Sequence, residues 1–308
     1  MLYDVIIIGA GAAGLSAAIY AGRYRMKILV LGKDFGGAAA TAGKIENYPG
    51  FSSIDGYELM NLMKKQTEEL GVEFLDQEVN RIKQQNQSFE VSVNEIKYQA
   101  KTIIFALGTE RRRLGLLNEK ELTGRGVHYC ITCDGPVYTG KTIAIVGGGD
   151  ASVKGVVLAA EYGKKIFLIV RDKEIMAEPI NLEQMQKLGD KVEVLLETEV
   201  KEIIGKDKLE KAILSKEYNG SKELIIDGLF IEIGALPNVE LAKSLGVELD
   251  ERGYIKVDNM MKTNISGVFA AGDTVNHFGR FKQIITAAAL GSVAATSAYE
   301  YLKQSSLK

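Results

Sequence analysis

The two cysteines of the 308-residue chain stand three positions apart, in His128-Tyr129-Cys130-Ile131-Thr132-Cys133-Asp134-Gly135-Pro136. At that spacing a tight turn or a helix start brings both sulfurs within disulfide reach. A dithiol that opens and closes in this way carries two electrons, and a helix amino terminus or a nearby positive group stabilises its thiolate and sets its poise. A purely structural disulfide across so short a loop adds little, because the entropic effect grows with loop length. Zinc needs four ligands, and the only histidines, His128 and His277, neither complete the set nor stand at finger spacing, so no metal centre is expected. The pair therefore points to redox chemistry.

Two similar stretches of chain frame that pair. The first begins with the apolar run Tyr3-Asp4-Val5-Ile6-Ile7-Ile8, the pattern of a strand buried on both faces of a parallel sheet. It ends in Gly9-Ala10-Gly11-Ala12-Ala13-Gly14, after which residues 15–22 read as a helix and 27–31 as a second strand. In strand, turn, helix, strand order these glycines predict a dinucleotide site: they let the backbone approach a pyrophosphate that the helix amino terminus then holds. The acid that usually holds the adenosine ribose is missing from Leu31-Gly32-Lys33, and Asp34 is the nearest substitute. The second stretch repeats the unit. Lys141-Thr142-Ile143-Ala144-Ile145-Val146 reads as a strand, Gly147-Gly148-Gly149-Asp150-Ala151-Ser152 as a glycine turn, 153–162 as a helix and 165–170 as a strand. Two cradles in one chain suggest two cofactors exchanging electrons. The second departs from the pattern at Ser152, which takes the third glycine or alanine position.

Between and beyond these units the signals are weaker. Gly36-Gly37-Ala38-Ala39-Ala40-Thr41 and Ile45-Glu46-Asn47-Tyr48-Pro49-Gly50 read as loops whose small residues let the backbone approach a flat ligand. Residues 55–70 predict an amphipathic helix with Leu59, Leu62, Met63, Thr67 and Leu70 on one side. Short strands are expected over 79–98, and a buried strand over 102–109 closes on Gly108-Thr109. Arg111-Arg112-Arg113 reads as a solvated face. Strands at 192–196 and 223–233 flank a lysine-rich turn region, and Gly234-Ala235-Leu236-Pro237-Asn238 reads as a linker. Strands are expected at 254–257 and 267–271, the latter running into Gly272-Asp273, where a carboxylate at a buried strand end is placed to meet ligand hydroxyls. A long helix is expected over 283–302.

At 308 residues the chain exceeds the size at which one core usually keeps growing, so two domains are expected. Hydrophobic residues form 46% of it, enough for sizeable cores, and a net charge of −2 gives no reason to expect nucleic acid or an acidic membrane as partner. Apolar runs stop short of a membrane span. Met1-Leu2-Tyr3-Asp4 leads at once into a strand pattern rather than a basic segment with a cleavage site, and two cysteines are too few for a secreted scaffold. A soluble cytoplasmic protein is expected.

The order Gly9-Ala10-Gly11-Ala12-Ala13-Gly14, Asn47-Tyr48-Pro49-Gly50, Gly108-Thr109, Cys130-Ile131-Thr132-Cys133-Asp134-Gly135, Gly147-Gly148-Gly149-Asp150, Ala270-Ala271-Gly272-Asp273 and Gln283-Ile284-Ile285-Thr286-Ala287-Ala288 closely resembles the low-molecular-weight thioredoxin reductases over nearly the whole chain. The resemblance implies an α/β fold of two Rossmann-like domains, the second inserted into the first. An FAD domain would comprise residues 1–114 and 236–308, and an NAD(P)-type domain carrying the Cys-x-x-Cys pair residues 115–235. It also implies a homodimer. Carried over by position, Gly9, Gly11, Ala12, Ala13 and Gly14 meet the FAD pyrophosphate, Gly272 and Asp273 the ribityl chain, and Gln283 with the Ile284 backbone the flavin's pyrimidine edge. Gly37, Asn47, Gly108 and Thr109 complete the cofactor site. Cys133 becomes the flavin-proximal sulfur, Cys130 the one that attacks the disulfide of thioredoxin or a thioredoxin-like protein, and Asp134 the acid-base. The candidate nicotinamide site comprises Gly147, Gly149, Asp150, Ala151, Ser152, Arg171 and Asp172.

Departures from the family bear on the electron donor. NADPH-using members carry His-Arg-Arg and a further Arg four residues on; this chain has Val170-Arg171-Asp172 and Met176. An acid near a 2′-phosphate costs about 1–3 kcal/mol, one to two powers of ten in affinity. The usual Gly-Gly-Gln-Leu near the flavin is here Gly36-Gly37-Ala38-Ala39. NADH fits a lost phosphate site, because Asp172 accepts from a free 2′-hydroxyl; ferredoxin or another reductant fits a cradle that no longer binds a dinucleotide; NADPH would have to rely on Arg171, Lys173 and Lys282. Two other classes compete: a flavoprotein that docks a thioredoxin-fold partner for regulation without turnover, and a thioredoxin-reductase-like ferredoxin-NADP oxidoreductase. The Cys pair argues against both.

Overall fold

The computed structural model describes residues 1–279 and 281–305. Residue 280 and residues 306–308, which the sequence reading places in the second segment of the FAD domain, lie outside the described residues. The chain forms two compact units, Met1–Glu110 with Pro237–Lys308, and Arg111–Leu236.

In the first unit the buried run becomes the strand Leu2–Ile8, parallel to Ile28–Leu31 on one side and to Ile96–Phe105 on the other. Glu73–Leu75 extends this sheet beyond Ile28–Leu31. The long strand Ile96–Phe105 serves two partners. Its partly exposed first half pairs antiparallel with Ser88–Val93, while Ile103, Ile104 and Phe105, fully buried, pair in parallel with Val268–Ala270. That burial is what a strand covered on both faces requires. The helices Ala12–Arg23 and Ile284–Ser305 pack through small residues, so closely that a Cβ on Gly291 would lie 2.1 Å from the Ala13 carbonyl oxygen. The helix predicted over 55–70 is Gly56–Glu68, capped by Asp55, whose Oδ1 accepts from Tyr57 N at 2.9 Å and Glu58 N at 3.2 Å. Its buried stripe is Leu59, Met60, Met63 and Thr67. Leu62, expected on that face, is 45% exposed because it falls outside the arc these residues share.

The second unit holds five parallel strands in the order Val127–His128, Gly228–Ile231, Thr142–Val146, Lys165–Ile169, Val192–Leu195. Beside it runs an antiparallel sheet of Val200–Ile204, Lys211–Tyr218 and Ser221–Ile225. Two of these strands lie in the stretch the sequence presents as a lysine-rich turn. Register shifts at Val200/Glu202 and Ile213/Tyr218 break the alternation that would have marked them. The single strand expected over 223–233 is two. Between them Asp227 donates its N–H to Thr142 O and accepts from Thr142 N through Oδ2, both at 2.9 Å, and so carries the chain from one sheet to the other.

Other expectations also change. Residues 254–257 form no regular strand: Ile255 makes single bridges to Leu249 and Val275. The loop expected at 36–41 contains the short helix Gly37–Ala40. The linker at 234–238 includes the strand Ala235–Pro237, which pairs with Thr109–Arg111. Among the described residues no helix is long and apolar enough to cross a membrane.

Candidate active site

Cys130 ends an extended segment and caps the short helix Ile131–Asp134, which the strand Val127–His128 feeds. The two sulfurs are bonded, with Cα atoms 5.3 Å apart. Cys133 N donates to Cys130 Sγ at 3.2 Å and Asp134 N to the Cys130 carbonyl at 3.1 Å. Cys130 is half-buried and Cys133 exposed.

Three groups around the pair were missed by the sequence reading as participants. Asp134 Oδ2 lies 3.2 Å from His128 Nδ1, and His128 Nε2 lies 2.7 Å from Tyr138 Oη. His128 is only 7% exposed and stacks on Phe230 with ring centroids 5.2 Å apart. Burial lowers its pKa, against the pull of the Asp134 carboxylate, and burial pushes the Tyr138 hydroxyl up to about 12. The third group is Glu119, 3% exposed. Its carboxylate accepts from Leu114 N at 3.1 Å, Gly115 N at 2.6 Å, Leu116 N at 3.0 Å and Tyr129 Oη at 2.6 Å. One buried acid thus ties the segment after the strand Thr109–Arg111 to the residue preceding Cys130. Glu119→Leu removes the acceptor that the three backbone N–H groups and the Tyr129 hydroxyl share, and is expected to destabilise the protein by about 3 kcal/mol or more, read as a lowered urea midpoint. An unchanged midpoint would show that those donors find other partners. The arginine run is exposed at all three positions, as expected of a solvated face, and each still has a partner: Arg111 pairs with Glu232, Arg112 Nε donates to Ala235 O at 3.3 Å, and Arg113 lies over the Tyr129 ring at 5.9 Å.

The glycine turn of the first unit is tightly built. Gly9 has φ +116°, and a Cβ there would lie 2.1 Å from Ala106 O; on Gly14 it would lie 1.9 Å from Gly9 O. Gly36 returns across the turn, donating its N–H to Ala10 O at 2.9 Å and bridging Gly11, which brings Gly37 against Gly11. Ala12 opens the helix and Ala13 packs against Gly272. Gly108, at φ +63°, accepts from Asn238 N at 3.1 Å, and Thr109 begins the strand that leaves this unit. Asp273 is half-buried; desolvation raises its pKa and Lys282 lowers it. Lys282 Nζ donates to Val275 O at 2.7 Å and His277 O at 3.0 Å. Asn47 Nδ2 donates to Gln283 Oε1 at 3.1 Å, beside Ile284 at the start of the long helix. Residues far apart in sequence thus meet in one unit.

The second turn repeats the architecture with different chemistry. Gly147 has φ +145°. Ser152 is buried and donates its hydroxyl to Gly149 O at 2.7 Å, which absorbs the polar group the sequence left unexplained. Asp150 Oδ1 accepts from Glu178 N at 2.7 Å and Asn181 Nδ2 at 3.0 Å, and Ala151 is exposed on the helix start. The residue that returns across this turn, in the role of Gly36, is Met176: its N–H donates to Gly148 O at 2.7 Å, it bridges Gly149, and it is 67% exposed. Arg171 Nε lies 3.7 Å from Asp172 Oδ2, so the one arginine beside the turn faces an acid.

The pyridine nucleotide-disulphide oxidoreductase family matches residues 3–291. A thioredoxin reductase of Listeria innocua is 36% identical over 306 residues, 98% of this chain and 95% of that protein. The crystal structure of Lactococcus lactis thioredoxin reductase superposes with a TM-score of 0.93 at 34% identity, covering 98% of this chain and 99% of that one. A ferredoxin-flavin thioredoxin reductase from Clostridium acetobutylicum matches with a TM-score of 0.56 at 34% identity, covering all of both chains. The chain belongs to the pyridine nucleotide-disulphide oxidoreductase family, in its low-molecular-weight thioredoxin reductase branch, and is an FAD-dependent oxidoreductase with two Rossmann-like domains. The first unit fits that cofactor. The helix Ala12–Arg23 begins without a side-chain cap, leaving its amino terminus for a diphosphate, and the half-buried Asp273 carboxylate has no hydrogen bond among the described residues.

Proposed function

We propose that this flavoenzyme reduces the disulfide of thioredoxin or a thioredoxin-like protein through the Cys130–Cys133 pair, with electrons from a reductant other than NADPH. The observation that carries the reading is the disulfide itself, capped at Cys130 by Cys133 N and followed directly by Asp134. The unit Met1–Glu110 with Pro237–Lys308 is the FAD domain. In it the Gly9, Gly11 and Gly14 turn with Ala12 and Ala13 holds the diphosphate, Gly272 and Asp273 the ribityl hydroxyls, and Gln283 and Ile284 the pyrimidine edge, with Gly37, Asn47, Gly108 and Thr109 around them. Bound FAD supplies the electron pair that opens the disulfide.

The chain's own residues do the rest. The Cys130 thiolate attacks one sulfur of the partner's disulfide, forming a mixed disulfide and expelling a partner thiolate that takes a proton from Asp134. The Cys133 thiolate then attacks Cys130, re-forms the internal disulfide and releases the second partner thiolate. Two electrons leave the pair; the first partner thiolate is protonated by Asp134 and the second takes its proton from solvent, so the partner gains two thiols. The assembly is a homodimer.

The donor reading rests on the second turn. Arg171 faces Asp172, Met176 crosses the glycines, and Lys173 is the one further cation in the stretch 171–176. The Clostridium acetobutylicum protein named above supports a ferredoxin-type donor. The test is anaerobic stopped-flow bleaching of the flavin by NADPH, NADH and reduced ferredoxin in turn, with dithionite as control. Fast bleaching by ferredoxin and none by NADPH is expected. Bleaching by NADH alone would make Gly147, Gly149, Asp150, Ala151 and Ser152, with Asp172 at the 2′-hydroxyl, a working NADH site; bleaching by NADPH overturns the donor reading.

A further inference from the structure

The reading above makes Asp134 the proton carrier, and the structure adds what holds it. We infer that His128 is a positioning residue for Asp134, fixing the carboxylate beside the Cys130–Cys133 pair and matching its hydrogen bonding to either protonation state through Tyr138. The inference rests on the thiol-disulfide reading of the same site.

A neutral imidazole has one N–H and one lone pair. With Asp134 as a carboxylate, Nδ1–H donates to Oδ2 across 3.2 Å and Tyr138 O–H donates to Nε2 across 2.7 Å. With Asp134 protonated, the carboxyl donates to Nδ1, and Nε2–H donates to the Tyr138 oxygen. Each arrangement gives both ring nitrogens a partner, so Asp134 gains or loses a proton without leaving a buried nitrogen unpaired, which is the costly outcome for a ring only 7% exposed. Exchange between the two moves the imidazole proton from one nitrogen to the other and creates no net charge on the ring.

The surroundings favour the neutral ring. His128 lies between the Phe230 face and the Tyr138 edge, with centroids at 5.2 and 5.4 Å. The charged groups that face the network are Asp134 on the imidazole, Asp227, whose field reaches Tyr138, and Lys141 Nζ, 5.3 Å from the Tyr138 centroid. The tyrosine stays protonated throughout the working range. The segment is ordered from both sides. Val127–His128 pairs with Gly228–Ile231, and Tyr138 closes the turn Gly135–Tyr138 against Gly228, where a Cβ would come within 2.7 Å of the ring.

The test follows the holoenzyme, reduced with dithiothreitol and desalted, as it loses titratable thiol in a single turnover with bis(2-hydroxyethyl) disulfide, whose expelled alkyl thiolate must take a proton, between pH 5 and 9. His128→Phe keeps the packing on Phe230 and removes both hydrogen bonds. The alkaline limb of its profile, where the carboxyl loses the proton it must give, is expected to move up by about one pH unit, because a donor to the carboxylate has gone. His128→Asn retains an N–H near the Nδ1 position and is expected to restore the limb. Tyr138→Phe is expected to leave the rate on the low-pH side of that limb within about twofold and shift the limb by less. The chain has only two histidines, so nitrogen NMR of a His277→Asn background reads the His128 tautomer directly; the Nδ1–H form is expected at neutral pH. Phe and Asn variants that share the wild-type limb, or a charged imidazole at neutral pH, overturn the inference. Asp134→Asn separates the two levels: if it reacts like wild type, the proton-carrier reading itself fails, whereas if it is slow while His128→Phe is normal, only the inference fails.

Discussion

Cys130→Ser is expected to lower reduction of oxidised thioredoxin by at least about a thousandfold, equivalent to roughly 4 kcal/mol of transition-state stabilisation, while FAD content stays at the wild-type level. The serine hydroxyl is a far weaker nucleophile than a thiolate at neutral pH and forms no mixed disulfide. The geometry assigns the two sulfurs different environments. Cys130 is half-buried and receives the Cys133 N–H, whereas Cys133 is exposed one turn on. Cys133→Ser should therefore behave differently from Cys130→Ser. Its Cys130 still attacks, but nothing resolves the product, and a covalent complex with thioredoxin should accumulate and be visible on a non-reducing gel. Reversal of the two phenotypes would exchange the roles of the cysteines. Full turnover by Cys130→Ser would remove the dithiol from the mechanism and favour a flavoprotein that docks its partner without exchange.

How much of this was legible in the sequence depends on the distance over which each feature is encoded. The runs at 3–8, 141–146 and 165–170 became buried parallel strands because continuous β-branched residues satisfy both faces of a covered sheet. Gly9 and Gly14 could be read as a turn because each is required by contacts only a few residues away. The antiparallel sheet at 200–225 was hidden, since its bulges displace the alternation on which strand reading depends. Ile255 read as part of a strand because it is apolar among polar neighbours, yet it is held by single bridges from opposite sides. Nothing local marks Leu62 as exposed, because the burial of its helix is decided by what packs against it.

The candidate site divides in the same way. Cys130, Cys133 and Asp134 form one contiguous motif. His128 was noted only for what it could not do, bind zinc, and its partnership with Asp134 and Tyr138 becomes visible only when the strand Val127–His128, the helix Ile131–Asp134 and the turn Gly135–Tyr138 are folded together. Glu119 sits in the short helix Glu119–Leu122, whose sequence Glu-Lys-Glu-Leu carries no local sign of burial, and only the fold turns three backbone N–H groups and Tyr129 toward it. A spacing of six residues from His128 to Asp134 was the one available signal, and without the turn between them it has no geometric meaning.

Gly14→Ala is the second change with a large expected effect, because the added methyl has nowhere to go. Its Cβ would lie 1.9 Å from the Gly9 carbonyl oxygen. That oxygen cannot retreat easily: Gly9 is held at φ +116° against Ala106 and donates its N–H to Leu31 O at 2.7 Å. Relief must come from sliding the helix Ala12–Arg23, whose other side is pressed onto Gly291. Forced overpacking of this kind costs about 3 kcal/mol or more. It also moves the helix amino terminus away from where a diphosphate is held, so the variant should purify with less than about a tenth of the FAD, since a tenfold loss needs only about 1.4 kcal/mol. Absorbance at the flavin band relative to protein, together with the melting temperature, reads both effects. Gly108→Ala provides the contrast. Its Cβ would meet nothing within 4 Å, so only the φ of +63° opposes it, at a cost of about 1–2 kcal/mol with no displaced helix. If Gly14→Ala loses no more flavin and melts no lower than Gly108→Ala, the close approach of helix to strand is not what builds the cofactor site.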